Sequence, residues 1–333
     1  MTGRGALDNR RTAPASNRRW AVILAGGDGT RLQGLTRLIC GDNRPKQFCP
    51  LLDGQTLLAH TMRRAERSVA RPQIVFALTR THSQYYSREL EGFEGNRIVQ
   101  PSNKGTAPPI LFSVLSIEQI NGDALVAILP SDHHYSNETR FTAALDSAFE
   151  IAAEHPESVV LLGVQPDRLE TEYGWIELGP RVASYNSELH YVHAFWEKPS
   201  QEIALSLLGR GHAAWNTFVM VGHVGAFLEM IAQAIPDVLS AVRQARLWTG
   251  SETHIEESVY NGVPPCDFSR RVLSAETARQ TVLRACDLGW SDLGRPETVL
   301  AALEENRLKP WWLTDWMRRE RTPAADSLSS AAA

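Results

Sequence analysis

The 333-residue sequence predicts an α/β fold, a mostly parallel mixed sheet flanked by helices. Three observations predict it. Short, continuous apolar runs recur at residues 21–24, 73–79, 124–130 and 159–164, as expected for strands buried on both faces. Helically spaced apolar residues fill the stretches between them, at 56–69, 110–120 and 139–153. Two of the runs end in a glycine-rich loop (residues 25–29) or an acidic turn (Ser131-Asp132). Ligands of open α/β sheets sit at such carboxyl ends of strands.

Composition narrows the class. Apolar residues make up 43% and charged residues 22%, ordinary values for a globular chain. A net charge of −4 argues against a general nucleic-acid binder. Cys40, Cys49, Cys266 and Cys286 show no C-x-x-C spacing and read as reduced thiols, not as a disulfide framework or a zinc site. The arginines at 4, 10, 11, 18 and 19 are not followed by the apolar run of a signal peptide, and nothing approaches the ~20 apolar residues of a membrane span. A cytoplasmic protein with no membrane span is expected. Residues 1–18 are expected to be a disordered basic tail.

Taken in order, residues 21–24 form the first strand, and Ala25, Gly26, Gly27 and Gly29 leave it with almost no side chain. Such a loop lets backbone approach a ligand, and its N–H groups can cradle phosphate oxygens. Arg31 adds a planar fork and Lys46 a point charge, so the stretch reads as a triphosphate site. Leu32 excludes the dinucleotide fingerprint, and the loop lacks the G-K-[ST] of a P-loop. Residues 41–43 are turn-like. Thr106 is placed to cap the helix after the 97–101 strand, with Pro108 and Pro109 in its first turn. Residues 173–179 and 191–199 alternate as strands and suggest a small β-hairpin lid over one side of the cleft. Residues 215–221 form a further strand, with helices over 225–247. Residues 282–294 read as one strand ending in a second acidic turn, with a helix at 296–306. Asp132 and Asp292 each end an apolar strand, so both are expected at one sheet edge as a Mg²⁺ pair. The tail at 309–333 holds Trp311, Trp312 and Trp316, in a short helix that packs back on the domain, forms an interface or lies on a membrane surface, and the residues from 322 are expected to be disordered.

Gly26-Gly27-Asp28-Gly29-Thr30-Arg31-Leu32 followed by Pro45-Lys46-Gln47-Phe48 resembles the signature of the sugar-1-phosphate nucleotidyltransferases. The Pro-Lys-Gln-Phe form is most similar to the mannose-1-phosphate guanylyltransferases. The resemblance implies a Rossmann-like nucleotidyltransferase fold over residues 19–308. It also implies conversion of a hexose 1-phosphate, mannose 1-phosphate first, and an NTP, GTP first, to nucleotide sugar and pyrophosphate. Carried over by position, Ala25, Gly26, Gly27, Gly29, Thr30, Arg31, Thr106 and Ala107 bind nucleotide, with Arg31 on the β/γ-phosphates. Lys46 bridges the nucleotide and the sugar phosphate. Gly174, Glu197, Lys198 and Asn216 hold the sugar phosphate, and Gly289 to Gly294 match the second metal turn. Arg31, Lys46, Asp132 and Lys198 are the expected catalytic set. Gly105 stands where the family has Asn, and Phe218 where glycine is common. His133 and His134 are expected to shape the metal loop. The alternatives are another hexose 1-phosphate and NTP pair, or a catalytically silent nucleotide-sugar-binding regulator; a homodimer through the tryptophans is also expected.

Overall fold

The computed structural model describes residues 18–183, 188–243 and 251–321. The expected basic tail, apart from Arg18, and the residues after 321 lie outside the described residues. The strands are β1 (Arg19–Leu24), β2 (Ile74–Thr79), β3 (Asn96–Gln100), β4 (Leu125–Pro130), β5 (His133–Tyr135), β6 (Val159–Val164), β7 (Gly174–Arg181), β8 (Leu189–Glu197), β9 (Ala213–His223), β10 (Glu252–His254), β11 (Gln280–Arg284) and β12 (Trp290–Asp292). The helices are α1 (Gln33–Cys40), α2 (Leu57–Ala65), α3 (Ser83–Glu89), α4 (Ala107–Ile120), α5 (Glu138–Glu154), α6 (Gln201–Arg210), α7 (Val224–Ala234), α8 (Pro236–Arg243), α9 (Glu257–Asn261), α10 (Pro296–Glu305) and α11 (Leu313–Arg321).

Ten strands form one sheet in the order β10-β3-β2-β1-β4-β9-β6-β11-β8-β7. Strands β10, β3, β2, β1 and β4 are mutually parallel, whereas β9 runs antiparallel to both β4 and β6. Because β7 also pairs with residues 213–215 of β9, the order β9-β6-β11-β8-β7 returns to its start. The continuous apolar runs follow from burial on both faces. Val22, Val126 and Ile128 point toward α4, α7 and α8, while Ala21, Ile23, Ala127 and Leu129 point toward α2, α3 and α5. Among the described residues no single helix is long and apolar enough to cross a membrane.

Several expectations change. The β7–β8 hairpin is woven into the main sheet through β9 and β11, and it sets Gly174 directly opposite Glu197. The stretch 282–294 is not one strand: the chain turns between β11 and β12, with Asp287 and Gly289 at φ +56° and +57°. β12 pairs instead with β5 in a separate two-stranded ribbon. Between Arg31 and Lys46 the chain forms helix α1, which buries Leu35, Thr36 and Ile39 and stops at left-handed Gly41. That helix shares a core with Leu293, Val299 and Trp312, so the tryptophan tail packs back beneath the loop. Trp312 is fully buried, Trp316 packs at its edge and Trp311 remains 68% exposed.

Strand β9 carries a bulge. Met220 faces Leu161, but Asn216 faces Gly163, and between them Phe218 takes φ +60°. A β-carbon residue is strained there. The Phe218 N–H donates to the Asn216 side-chain oxygen (3.1 Å), and the Thr217 hydroxyl donates to the Leu162 carbonyl (2.7 Å), which holds the kink. The bulge turns the chain so that Asn216 reaches the cavity described below.

Two stability outcomes are expected in denaturant titrations. Trp312→Ala should cost about 3–5 kcal/mol by cavity formation, and Trp311→Ala less than about 0.5 kcal/mol. At position 218 the ordinary preference should invert, with Phe218→Gly more stable than Phe218→Ala by about 1 kcal/mol, since only glycine relieves the left-handed backbone.

Candidate active site

The glycine loop leaves the end of β1 and turns its carbonyls inward. The Gln47 amide donates to the carbonyls of Ala25 (3.0 Å) and Gly27 (2.8 Å), and the Thr79 hydroxyl donates to that of Gly26 (3.0 Å). Gly29 sits at φ +59°, where a Cβ would come within 2.9 Å of the Lys46 backbone nitrogen. The loop therefore needs a residue without Cβ where it crosses the lysine segment. Asp28 ties the loop to its opposite wall by accepting from Asn103 (3.0 Å), and it faces His82 at 3.2 Å.

Beyond the loop lies a cavity of about 350 Å³. Gly26, Gly27, Arg31, Thr106 and Asp132 line it together with Gly174, Glu197, Lys198, Asn216 and Asp292. A second space of about 320 Å³ is lined by Gly29, Thr30, Lys46 and Gly294, and it shares Arg31, Asn103 and Asp132 with the first. The expected site residues thus converge from one end of the chain to the other, with two exceptions. Ala25 and Ala107 are fully buried behind the lining, and both use their backbone N–H groups on protein carbonyls, of Ala77 (2.9 Å) and Cys266 (3.0 Å). Thr106 lines the cavity, but its hydroxyl makes no helix cap. It accepts from the Phe268 N–H instead (2.8 Å). Gly105, with φ +91°, sits where any Cβ would strike the Cys266 carbonyl, which gives a backbone reason for glycine in place of Asn.

Lys46 is the centre of the charge arrangement. Its ammonium lies 3.1 Å from Asp132 Oδ2 and 3.4 Å from Asp292 Oδ1, and it donates to the Leu293 carbonyl at 3.0 Å. Lys46 is 7% exposed. Burial alone would lower its pKa and raise that of Asp132. Both move the other way: the two carboxylates outweigh burial and raise Lys46, while Lys46 and His133 outweigh it and lower Asp132. The attraction wins, and lysine and aspartate are both charged at neutral pH. The two acids meet by a route that the apolar runs do not reveal. Asp132 follows β4 of the main sheet, but Asp292 is delivered by the β5–β12 ribbon, in which it pairs with His133.

His133 accepts from the Trp290 indole (3.2 Å), and its Nε2 stands 3.8 Å from both carboxylates. Burial pushes the His134 ring down to about 4, which keeps it neutral at pH 7. At the far end of the cavity, burial and Asp267 push the Glu197 carboxyl up. The Tyr173 ring packs edge-on against Trp215 and Trp290, with centroids 5.3 Å and 5.1 Å away, and Tyr173 and Trp290 line the cavity. Lys198 occupies φ +49°, another left-handed position without glycine. Glu172 was missed by sequence reasoning. Its carboxylate lies 3.2 Å from Arg31 and 3.7 Å from Lys198. Gln47 enters the sequence reading only as part of the Pro45-Lys46-Gln47-Phe48 motif, yet it holds the loop. No local signal marks either role, because their partners lie far away in sequence.

Chemically, the arrangement offers two oxygen ligands beside a buried ammonium, two further cations and a polar, partly aromatic wall. It suits a multiply charged phosphate with a neutral polar group attached.

The chain is similar to known proteins. The chain is 29% identical over 293 residues to the xanthan biosynthesis protein XanB of Xanthomonas campestris pv. campestris, covering 86% of this chain and 59% of that protein. It is 30% identical over 294 residues to mannose-1-phosphate guanylyltransferase 2 of Escherichia coli O157:H7, covering 82% of this chain and 58% of that protein. The chain therefore spans less than two thirds of these curated relatives. A crystal structure described as mannose-1-phosphate geranyltransferase from Thermus thermophilus superposes with a TM-score of 0.71 at 30% identity, covering 83% of this chain and 76% of that one. The model of the nucleotidyl transferase family matches residues 20–307, nearly all of the α/β unit built above, and the chain belongs to that family.

Proposed function

We propose that the chain joins a nucleoside triphosphate to a hexose 1-phosphate and releases pyrophosphate, with GTP and mannose 1-phosphate as its pair. The observation that carries the reading is the buried Lys46 ammonium between Asp132 and Asp292, at the junction of the glycine-loop space and the cavity of Gly174, Glu197, Lys198 and Asn216. The choice of pair is supported by the names of the relatives, which specify mannose 1-phosphate and guanylyl transfer.

Asp132 and Asp292 are the residues that would hold Mg²⁺. The donor set fits, because this ion takes one or two carboxylates and fills its remaining positions with water and phosphate oxygens. Among the described residues no group of three or more His, Cys, Asp or Glu side chains is arranged to hold a metal. When bound, Mg²⁺ supplies charge neutralisation and polarisation of phosphoryl oxygens. The remaining work falls to the chain itself. The glycine loop brings its backbone against the triphosphate, and Arg31 meets the β- and γ-phosphates. Lys46 faces the phosphoryl group under attack and keeps two polyanionic reactants together. Lys198 orients the sugar phosphate, whose oxygen attacks the α-phosphorus as pyrophosphate departs. Glu197 and Asn216 accept and donate hydrogen bonds at the sugar hydroxyls. A phosphate dianion is already nucleophilic, so catalysis rests on positioning and electrostatics.

The test is pyrophosphate release with Mg²⁺, pairing mannose 1-phosphate and glucose 1-phosphate with each common NTP. Turnover with GTP and mannose 1-phosphate alone is expected. Turnover with a different pair would overturn the substrate assignment, and nucleotide-sugar binding without turnover of any pair would favour a regulator. In the active pair, Lys198→Ala should raise KM for the sugar phosphate roughly tenfold or more, and that for the NTP by less than about threefold.

A further inference from the structure

We propose that Glu172 is a built-in counterion for the two phosphate-binding cations. It holds Arg31 and Lys198 in place, and an incoming phosphate must displace it.

Three observations meet here. Glu172 Oε2 lies 3.2 Å from Arg31 and 3.7 Å from Lys198, and all three residues line the larger cavity. The two cations come from distant segments, the exit of the glycine loop and the end of β8, and one carboxylate spans both. The acid is also braced from behind. The Glu172 N–H donates to Glu170 Oε1 (2.9 Å), Arg295 donates to Glu170 Oε2 (2.9 Å), and the Trp175 indole donates to the Glu170 carbonyl (2.8 Å). The Lys198 N–H in turn donates to the carbonyl of Tyr173, the residue after Glu172 (3.2 Å).

Charge accounting gives the consequence. Lys46 is already matched by Asp132 and Asp292, so Arg31 and Lys198 are the lining cations left to meet further phosphate charge. Both share Glu172. Their side chains are 51% and 40% exposed and that of Glu172 is 40%, so these are solvated pairs that exchange readily for a better anion. A dianionic phosphate with several oxygens is that better anion. Glu172 therefore preplaces the cations before binding, weakens ground-state affinity for anions, and takes the cations back as an anionic product leaves. Its role is positioning.

The inference deepens the nucleotidyl-transfer reading and rests on it for the identity of the phosphates, but its test does not need turnover. Inorganic pyrophosphate at fixed Mg²⁺ is titrated calorimetrically into the full chain and into E172Q, E172A and D267N. Asp267 lines the same cavity but is paired with neither cation, its carboxylate accepting from Arg270 N–H and Thr106. E172Q and E172A should bind pyrophosphate roughly three- to tenfold more tightly, and D267N less than twofold. Where turnover is measurable, E172Q should lower KM for the sugar phosphate without raising kcat. Binding by E172Q that is unchanged, weaker or undetectable overturns the proposal. So does an equal gain in D267N, which would make the effect one of general charge. Failure of every substrate pair would refute the transfer reading and leave the pyrophosphate comparison standing.

Discussion

The ammonium of Lys46, buried between two carboxylates, is the constraint on which the rest of the structure depends. A buried charge without partners costs several kcal/mol, so Asp132 and Asp292 must both arrive beside it. That requirement joins three segments: the turn after α1, the end of β4, and the ribbon of β5 with β12. The same cation draws the two acids to one point, and in the proposed reaction those acids would hold the divalent metal. Structure and chemistry use one contact here.

Around that contact the molecule stores strain where it needs aim. Phe218 and Lys198 both occupy left-handed backbone, and both line the cavity. Phe218 marks the bulge that turns Asn216 inward, and Lys198 ends the strand that brings in Glu197. Such positions persist only when the surroundings determine them, and here the ring of strands from β9 through β6, β11, β8 and β7 does so. The core of α1, α10 and Trp312 supports the loop from below, through Leu32 and Leu293, next to Arg31 and Asp292. Elements far from the cavity thus fix its charges.

Much of this was legible in the sequence because burial on both faces writes a simple pattern. The runs at 21–24, 124–130 and 159–164 are strands for the reason expected. The direction of β9 was not legible, since a strand buried on both sides reads alike when antiparallel. Helix α1 is eight residues long with Gly34 inside, and its helicity depends on packing against residues 293–312, so local spacing hides it. Gly105 and Phe218 stood out as departures; the structure supplies a steric reason for the first and a backbone cost for the second. Glu172 left no trace, because a salt bridge to a residue 141 positions away has no local signature.

The central claim is that Lys46, Asp132 and Asp292 act as one unit. The most direct measurement is the rate of pyrophosphate release in D132N, D292N, K46M and the D132N/D292N double variant. Each single change should lower kcat by roughly a hundredfold or more, and the double change should cost little beyond the worse single one, since residues that act as a unit are not additive. Costs that multiply as if the two acids were independent, or a variant that keeps near-normal turnover, would contradict the account.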